Sequence, residues 1–235
     1  MTDRAGTELR AVVTGGSSGI GAAIVVELAA AGWRVVAVGR DAARLDSVVA
    51  AAGPGAEAHV ADLEDGAALA GLVAAVGPAP LHALVHAAGR VALGPLAEAP
   101  IADLDALWRI NVRAPALLTQ VLLPALRAGP GDVVFLNSGA GLRANPNWGA
   151  YAASKFALRA VADALRAEER AHGVRVTSVY PGRTDTAMQR EVFAAEGRAY
   201  EADGLVAPDD VARLVRAALE TPRPASVPDL EVRPL

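Results

Sequence analysis

Tyr151 and Lys155 are the residues of this sequence whose types and spacing most directly suggest chemistry. Lys155 is the only lysine in 235 residues, whereas the chain contains 21 arginines. A lysine ammonium is a compact point charge on a flexible stem and an arginine is a planar fork, so one retained lysine indicates a need for one directed cation. Residues four apart lie on one face of a helix. We therefore expect the Lys155 ammonium to lie beside the Tyr151 phenol.

A cation in that position changes what the phenol can do. It favours the phenolate and lowers the pKa, which is about 10 for an isolated tyrosine. A phenol tuned toward neutrality exchanges a proton with a carbonyl or alcohol oxygen, so the pair predicts general acid–base catalysis. A tyrosine and a lysine at this spacing also occur as an exposed pair on a surface helix, and the rest of the chain must separate the two interpretations.

A glycine-rich turn near the N-terminus predicts a dinucleotide site. The run Leu9–Thr14 is typical of a buried parallel strand, Ile20–Ala31 of a helix that ends at Gly32, and Arg34–Val38 of a second strand. Such a unit directs backbone N–H groups and a helix N-terminus at a pyrophosphate. A glycine-rich turn alone is often only a loop, but its place between strand and helix favours binding. The candidate residues of the turn are Gly15, Ser17, Ser18, Gly19, Ile20 and Gly21.

The end of the second strand indicates which dinucleotide binds. A carboxylate at that position would hold a ribose 2′-hydroxyl, and a nearby arginine would accept a 2′-phosphate. The residues there are Gly39 and Arg40. Asp41 follows, but it also suits the N-cap of a helix over Ala42–Ala52. The sequence therefore favours NADP(H) over NAD(H), and the alternative is that Arg40 is an ordinary exposed arginine.

Two further strand ends contribute candidates, because ligands collect at the carboxyl edge of an open α/β sheet. A third strand is predicted over Glu57–Val60, and Asp62, with Leu63 beside it, could bond an adenine amino group. Asp62 could instead cap a helix that starts near Leu63. A fourth strand over Leu81–Val85 is followed by small residues that would let the adenosine ribose lie against backbone: Ala87, Ala88 and Gly89.

Asn111 lies in a predicted helix over Ile101–Arg127 that also contains Pro115. Pro115 has no N–H to donate to the carbonyl of residue 111, and its ring clashes with that carbonyl. We therefore expect a kink at Asn111 and a C=O group left free to hold a water molecule.

The remaining pattern completes an α/β fold of the Rossmann type, a doubly wound parallel sheet of about seven strands in three α/β/α layers. Strands are predicted over Asp132–Leu136, Val174–Val179 and Asp229–Val232, and helices over Gly149–His172 and Pro208–Leu219. Ser138 follows the fifth strand, at the edge where chemistry is expected. The polar, mixed stretch 186–206 is predicted to be a substrate lid.

Composition excludes several other classes of protein. A net charge of -4 without a long basic run argues against nucleic-acid binding. The absence of cysteine excludes disulfides and thiolate metal sites, and the four histidines show no metal-ligand spacing. Residues 67–89 lack charged side chains, but glycine and prolines interrupt them, so a helix, a turn and a buried strand are predicted rather than a membrane span. No secretory signal is visible, and residues 1–8 are expected to be flexible.

In this order the chain resembles the single-domain short-chain dehydrogenase/reductase family, over residues 9–235. The motifs that carry the resemblance are Thr14-Gly15 with Gly19-Ile20-Gly21, Asp62, Ala88-Gly89, Asn111, Ser138, Tyr151 with Lys155, and Pro181-Gly182. The resemblance implies hydride transfer between nicotinamide C4 and a carbonyl carbon, with one domain spanning residues 1–235.

The resemblance also implies a role for each matching residue. Tyr151 would be the general acid or base, Lys155 would lower its pKa and bind the nicotinamide ribose, and Ser138 would hold the substrate oxygen. Asn111 would position a water that links Lys155 to solvent. Thr186 matches a position that bonds the nicotinamide carboxamide or a phosphate, and Thr184 matches a backbone contact before it.

Two departures from the family pattern are visible. His86-Ala87-Ala88-Gly89 stands where the family often has Asn-Asn-Ala-Gly, which predicts an adjustment of stability rather than a loss of activity. Thr184 replaces a more usual valine or isoleucine, which a backbone contact tolerates. Relatives usually form dimers or tetramers through two long helices, here near 101–128 and 150–172, so a homodimer or homotetramer is expected. The alternative is that the alanines of the second helix, Ala152, Ala153, Ala157, Ala160 and Ala164, pack only inside the subunit.

Two functions remain at this point. The first is a cytoplasmic NADP(H)-dependent oxidoreductase that acts on a small carbonyl or alcohol substrate, independent of membranes and nucleic acids. The second is a dinucleotide sensor or scaffold that uses the fold without catalysis. The stretches expected to line the substrate are 140–148 and 188–205, in which Leu142, Trp148, Met188 and Phe193 suggest a partly apolar pocket or, equally, core packing.

Overall fold

The computed structural model describes residues 8–235 and contains a seven-stranded parallel sheet. The prediction of a flexible N-terminus concerns residues that, apart from Glu8, lie outside this range. The strand order is β3-β2-β1-β4-β5-β6-β7, so the direction of winding reverses between β1 and β4. The strands are β1 Arg10–Thr14, β2 Arg34–Gly39, β3 Ala56–Val60, β4 Ala83–His86, β5 Asp132–Leu136, β6 Arg175–Pro181 and β7 Asp229–Val232.

Helices cover both faces of the sheet. They are α1 Gly19–Ala30, α2 Ala42–Ala52, α3 Gly66–Val76, α4 Ile101–Trp108, α5 Ala114–Ala128, α6 Gly149–Glu169, α7 Ala187–Ala195 and α8 Pro208–Glu220. Alternate strand residues point to opposite faces, so Val13 packs with Ile24 of α1 and Val215 of α8. Val12 packs on the other face with Leu118 of α5 and Leu158 of α6. The two apolar clusters confirm the predicted Rossmann-type α/β/α layers.

The helix after β3 begins later than the sequence suggested. Gly66 is its first residue, and the Asp65 carboxylate accepts a hydrogen bond of 2.9 Å from the backbone N–H of Ala67. Asp62 instead accepts from the N–H of Glu64 at 2.9 Å, in the turn that precedes the helix. The alternative role of Asp62 as the cap of this helix is therefore wrong, because Asp65 occupies that position.

The uncharged stretch 67–89 contains α3, a turn and β4, as predicted. Within residues 8–235, no helix has both the length and the apolar composition that crossing a bilayer requires.

The long helix predicted over Ile101–Arg127 is two helices joined by a π-helical segment, Arg109–Arg113. The N–H of Ala114 bonds the carbonyl of Arg109, five residues back, instead of the carbonyl four residues back. Pro115 follows this segment and has no N–H, so a regular α-helical ladder cannot continue through it. The helix is thus irregular at Asn111, as the proline predicted, and widened turns of this kind recur at functional sites.

The predicted lid over residues 186–206 contains α7 and a loop that returns to the sheet edge. Val192 and Phe193 of α7 are buried, and Thr184 pairs in parallel with Val206. The guanidinium of Arg183 donates to both carboxylate oxygens of Glu196 at 2.7 and 2.9 Å. The segment is therefore anchored at several points. Phe193 packs into this anchor, against the ring of Tyr200 and the guanidinium of Arg183.

Candidate active site

Tyr151 and Lys155 lie on the sheet-facing side of α6 and are both buried. The Lys155 Nζ is 5.9 Å from the centroid of the Tyr151 ring, so the two side chains share one face as their spacing predicted. Burial rules out the alternative of an exposed surface pair. Nζ donates a 3.0 Å hydrogen bond to the carbonyl of Leu136, the last residue of β5, which fixes the ammonium at the carboxyl edge of the sheet.

Burial is the main influence on the Lys155 ammonium. Removing the charge from water lowers the pKa of Lys155 from 10.5 to about 8. The side chain is therefore still mostly cationic at neutral pH, but it loses its proton at a lower pH than an exposed lysine does. Its charge makes a buried electrostatic source next to the phenol.

The phenol of Tyr151 does not show the direction expected from the sequence. Burial raises the pKa of Tyr151, and a hydrogen bond with the Ser138 side chain lowers it by less. The Lys155 Nζ lies 5.9 Å from the centroid of the Tyr151 ring and donates to the carbonyl of Leu136. The structure thus brings Ser138, Tyr151 and Lys155 together, and burial of the phenol is the largest influence on its pKa.

Asn111 clamps the loop after β4 through its amide side chain. Its Oδ1 accepts from the backbone N–H of Arg90 at 2.9 Å, and its Nδ2 donates to the carbonyl of Arg90 at 3.0 Å. The same Nδ2 donates to the hydroxyl of Ser154 at 3.0 Å, which links the π-helical segment to α6. A β-carbon placed on Gly89 would lie 3.1 Å from Asn111 Oδ1 and 3.8 Å from Lys155 Nζ. Asn111 therefore lies at the site, and both the oxygen and the nitrogen of its side-chain amide are hydrogen-bonded.

Two residues that position the site, Asn137 and Ser154, were not among the candidates chosen from the sequence. Asn137 Nδ2 donates to the carbonyl of Lys155 at 3.1 Å, and its Oδ1 accepts from the N–H of Ser138 at 2.9 Å. The Ser154 hydroxyl donates to the carbonyl of Tyr151 at 2.7 Å. The Asn137 bonds tie α6 to the end of β5, and the Ser154 bond lies within the first turns of α6. The only sequence signal was that each polar residue adjoins a catalytic candidate.

The glycine-rich turn and the loop after β4 are in close contact. Gly15 has a φ of +67°, and a β-carbon there would lie 2.6 Å from the backbone nitrogen of Ala88 and 2.7 Å from the carbonyl carbon of Ala87. A β-carbon on Gly21 would lie 2.2 Å from the carbonyl oxygen of Gly15. Only glycine fits either position. The turn is therefore a tight backbone cradle at the N-terminus of α1, and it fits a dinucleotide pyrophosphate.

The other residues of the glycine-rich turn contact two different segments, the start of α7 and the end of β2. Gly19 lies beside Thr186, since a β-carbon on Gly19 would be 3.2 Å from the Thr186 methyl. Ser17 lies beside Gly39, since a β-carbon on Gly39 would be 3.0 Å from the Ser17 hydroxyl. Ser18 is exposed, and the side chain of Ile20 is partly buried against the core.

Arg40 follows Gly39 and is exposed. Most arginines of the chain pair with a carboxylate or donate to a carbonyl, as the bidentate Arg127–Glu169 pair does. Arg40 has no such partner within residues 8–235. A guanidinium without a partner among these residues thus lies at the end of β2. The glycine-rich turn is close to it, because Ser17 of the turn contacts Gly39.

The remaining cofactor candidates lie along the same edge. Asp62 is exposed and Leu63 is buried after β3. Pro181 ends β6, and the N–H of Gly182 bonds the carbonyl of Val232. The Thr184 hydroxyl donates to the carbonyl of Gly182 at 3.1 Å, and the Thr186 hydroxyl accepts from the N–H of Gln189 at the start of α7. Their contacts with a cofactor stay predictions.

His86 is part of the core beneath the site. Its Nε2 is 2.8 Å from the hydroxyl of Thr119, and its ring stacks on Phe135 at 5.0 Å. Complete burial lowers the pKa of His86 to about 3, so the ring is neutral. The histidine therefore packs and bonds within the subunit.

An apolar wall adjoins Tyr151. Trp148 meets the Tyr151 ring edge-on, with ring centroids 5.9 Å apart and planes at 62°. This apolar wall consists of Val91, Ala92, Leu93, Leu107, Ala140, Trp148, Ala150 and Ala152.

Comparison with known proteins gives one consistent family. A match described as short chain dehydrogenase covers residues 10–197. An uncharacterized short-chain type dehydrogenase/reductase of Sinorhizobium fredii is 38% identical over 229 residues, which is 95% of this chain and 90% of that protein.

Two solved structures are similar over nearly their whole length. A metagenomic short-chain oxidoreductase in complex with NADP is 35% identical, with a TM-score of 0.79 and 97% of each chain covered. A 3-ketoacyl-(acyl-carrier-protein) reductase of Brucella melitensis complexed with NADH is 26% identical, with a TM-score of 0.84 and 96% of each chain covered.

Replacing Gly21 by alanine should disrupt the cradle. The new methyl group would lie 2.2 Å from a backbone oxygen, so either the turn or α1 must shift, at a cost of about 1–3 kcal/mol in the free energy of unfolding. Gly71→Ala is the matched control, because Gly71 is an exposed helical glycine with nothing within 4 Å and should gain about 0.5–1 kcal/mol. Urea denaturation of both variants measures the two effects, and equal stability would contradict the close approach.

Replacing Lys155 by methionine should stabilise the protein at neutral pH. Below pH 8 both the folded and the unfolded chain hold the proton, so the folded state bears the full cost of a buried charge. Between pH 8 and 10.5 only the unfolded chain holds it, so the stability of the wild type rises with pH. The advantage of Lys155→Met should be about 3 kcal/mol at pH 7, at about 1.4 kcal/mol per pKa unit, and should vanish near pH 10.5.

Denaturation curves of both proteins from pH 7 to 10.5 measure this difference directly. Other titrating groups cancel in the difference, and no second lysine is present. A stability difference that does not change with pH would show that the pKa of Lys155 is not lowered.

Proposed function

The chain belongs to the short-chain dehydrogenase family of oxidoreductases, and we propose that it is an NADP(H)-dependent enzyme that transfers hydride between nicotinamide C4 and the carbon of a carbonyl or secondary alcohol. The proposal is carried by one observation, the close placement of three side chains. Ser138 follows the carboxyl end of β5, and Tyr151 and Lys155 lie beside it in the first turns of α6. The glycine cradle and the loop over residues 87–89 lie at the same edge of the sheet.

The cofactor, when bound, supplies or accepts the hydride. The residues of this chain handle the oxygen. In reduction, the Ser138 hydroxyl holds the carbonyl oxygen, and Tyr151 donates its phenolic proton as negative charge develops there. In oxidation, Tyr151 takes the proton from the alcohol. Because burial raises the pKa of Tyr151, the free enzyme holds the phenol protonated at neutral pH, which is the form that reduction requires.

Lys155 stabilises the phenolate that proton donation leaves behind. Its ammonium is buried, so its field at Tyr151 is screened less than that of a surface lysine. Asn111 holds the loop after β4 against α6 through Arg90 and Ser154, and its main-chain carbonyl is proposed to hold the water that connects Lys155 to solvent.

Arg40 is the basis for proposing NADP(H). It is exposed at the end of β2, follows the Ser17–Gly39 contact, and has no acidic partner within the described residues. A guanidinium suits a 2′-phosphate, which it can bind with two hydrogen bonds. Similar solved structures hold NADP in one case and NADH in another, so the choice rests on this residue.

The other cofactor contacts follow from the same placement. Asp62 and Leu63 are proposed at the adenine, and Ala87, Ala88 and Gly89 at the adenosine ribose and its surroundings. Pro181, Gly182, Thr184 and Thr186 are proposed at the nicotinamide half, where Thr186 adjoins Gly19 of the cradle. The segment 186–206 is proposed to close over the substrate, and the cytoplasmic location stays a prediction.

A homodimer or homotetramer is proposed through α4, α5 and α6. Trp108, Val121 and Phe156 are large apolar side chains that these helices expose to solvent. Ala152 is buried inside the subunit, whereas Ala153 and Ala160 are exposed on α6, so the alanines serve both packing within the subunit and an outer face. Sedimentation velocity of the wild type would measure the assembly.

Turnover separates this proposal from the dinucleotide sensor. Protein, NADPH and a panel of ketones and aldehydes are mixed, and loss of reduced-nicotinamide absorbance is followed. Tight cofactor binding without turnover of any compound would favour the sensor.

Tyr151→Phe should keep the fold and NADPH binding but lose about 10²–10⁴-fold in kcat, because general acid–base catalysis typically contributes that factor. Tyr180→Phe is a matched control that removes the hydroxyl of a buried tyrosine of β6, which bonds the Ser178 side chain. It should retain turnover. Activity near the wild-type value in Tyr151→Phe would contradict the role of the phenol.

Arg40→Ala should weaken NADPH binding by about 10- to 100-fold, as expected for losing hydrogen bonds to a charged group worth about 1.5–3 kcal/mol. NADH binding should change little. Arg44→Ala is the control, since Arg44 is an exposed arginine that pairs with Asp41 at 3.2 Å. Dissociation constants from nicotinamide fluorescence give the comparison, and equal losses for NADPH and NADH would refute the 2′-phosphate assignment.

A further inference from the structure

We infer that Trp148 and the apolar wall select carbonyl substrates whose substituents are apolar, in preference to polyhydroxylated ones. The inference rests on the proposed function and deepens it, because it names the class of substrate that the same site would accept. It is based on the apolar side chains that pack around Tyr151.

The wall begins at the reacting groups. Ala140 follows Ser138 by two residues, and its N–H donates to the Ser138 hydroxyl at 3.1 Å. Trp148 contacts the Tyr151 ring edge-on at 5.9 Å. A substituent on a carbonyl held between Ser138 and Tyr151 would therefore meet this cluster first.

The composition of the wall is uniform. Its partly exposed members, which a ligand could touch, are Val91, Ala92, Leu93, Trp148 and Ala150, and Leu107, Ala140 and Ala152 are buried behind them. Among these side chains only the indole N–H of Trp148 could donate a hydrogen bond. A hydroxyl placed against such a surface would lose its bonds to water without replacement, at a cost of about 1–3 kcal/mol. An alkyl group would instead gain by leaving water.

Trp148 is the one large side chain among small and medium ones, and its backbone is held at both ends. Its N–H bonds the carbonyl of Asn145 at 3.1 Å, and its carbonyl accepts from Ala152 at 2.7 Å in the first turn of α6. The N–H of Gly94 bonds the carbonyl of Asn147 at 2.8 Å, which joins the loop after β4 to the loop before α6. The backbone of Trp148 is therefore fixed, and its indole, packed against the Tyr151 ring, forms a boundary that would limit the size of the substituent.

Two pairs of ketones test the inference in the wild type. Pentan-3-one and dihydroxyacetone have the same shape, with two methyl groups in place of two hydroxyls. We expect kcat/KM to favour pentan-3-one by about 10- to 100-fold, the discrimination that an apolar pocket achieves. Nonan-5-one, with both chains lengthened, should react more slowly than pentan-3-one.

Trp148→Ala should shift the ratio of kcat/KM for nonan-5-one over pentan-3-one by about tenfold or more toward the larger ketone. Trp148→Phe should restore most of the wild-type ratio, because it keeps an aromatic ring beside Tyr151. Leu214→Ala, which truncates an exposed apolar side chain on α8, should leave the ratio unchanged. NADPH dissociation constants of all variants check that the fold is retained.

The outcomes separate the inference from the proposed function. An equal loss for both ketones in Trp148→Ala would show that Trp148 only supports Tyr151 and would overturn the inference. Turnover of dihydroxyacetone equal to or better than that of pentan-3-one would also overturn it, while leaving the oxidoreductase intact. No turnover of any ketone or aldehyde by the wild type would instead count against the proposed function.

Discussion

The site depends on one buried positive charge. The Lys155 ammonium is buried away from water. Burial disfavours its charged form and lowers its pKa to about 8. A charge in that position must be held by fixed dipoles, and the carbonyl of Leu136 at 3.0 Å is one of them. The arrangement costs stability, and such costs are characteristic of sites where function takes precedence over folding. The neighbouring structure is best understood as the means of holding α6 where that carbonyl can be reached.

Polar side chains hold α6 to the sheet from two sides. Asn137 joins the carbonyl of Lys155 to the N–H of Ser138, so the helix and the end of β5 cannot separate independently. Asn111 joins Ser154 of α6 to the backbone of Arg90 after β4. Asn111 lies in the π-helical segment, and Pro115 prevents a regular helix from continuing past it. Buried networks of this kind are rigid when every donor and acceptor is paired.

The proposed cofactor side and the proposed substrate side of the site differ in the groups that they present. On the cofactor side, backbone groups approach so closely that only glycine fits at residues 15 and 21, and a free Arg40 lies at the edge. On the substrate side, the wall around Trp148 offers apolar surface and almost no hydrogen-bonding groups. In the proposed enzyme, backbone groups and the Arg40 guanidinium would hold the charged cofactor, and side chains of the wall would meet the substrate.

The sequence by itself determined the fold class, the order of elements and the choice of candidate site residues, because these depend on local periodicity, glycine turns and the spacing of Tyr151 and Lys155. α2 and β5 were predicted with the observed bounds, since a capping aspartate and a short apolar run define them. The start of α3 was missed because Asp62 and Asp65 are equally good caps by type. Only the tertiary structure decided the direction of the Tyr151 pKa, the clamp between Asn111 and Arg90, and the wall beside the phenol. Each of these depends on burial or on contacts between residues distant in the chain, and local patterns carry no information about either.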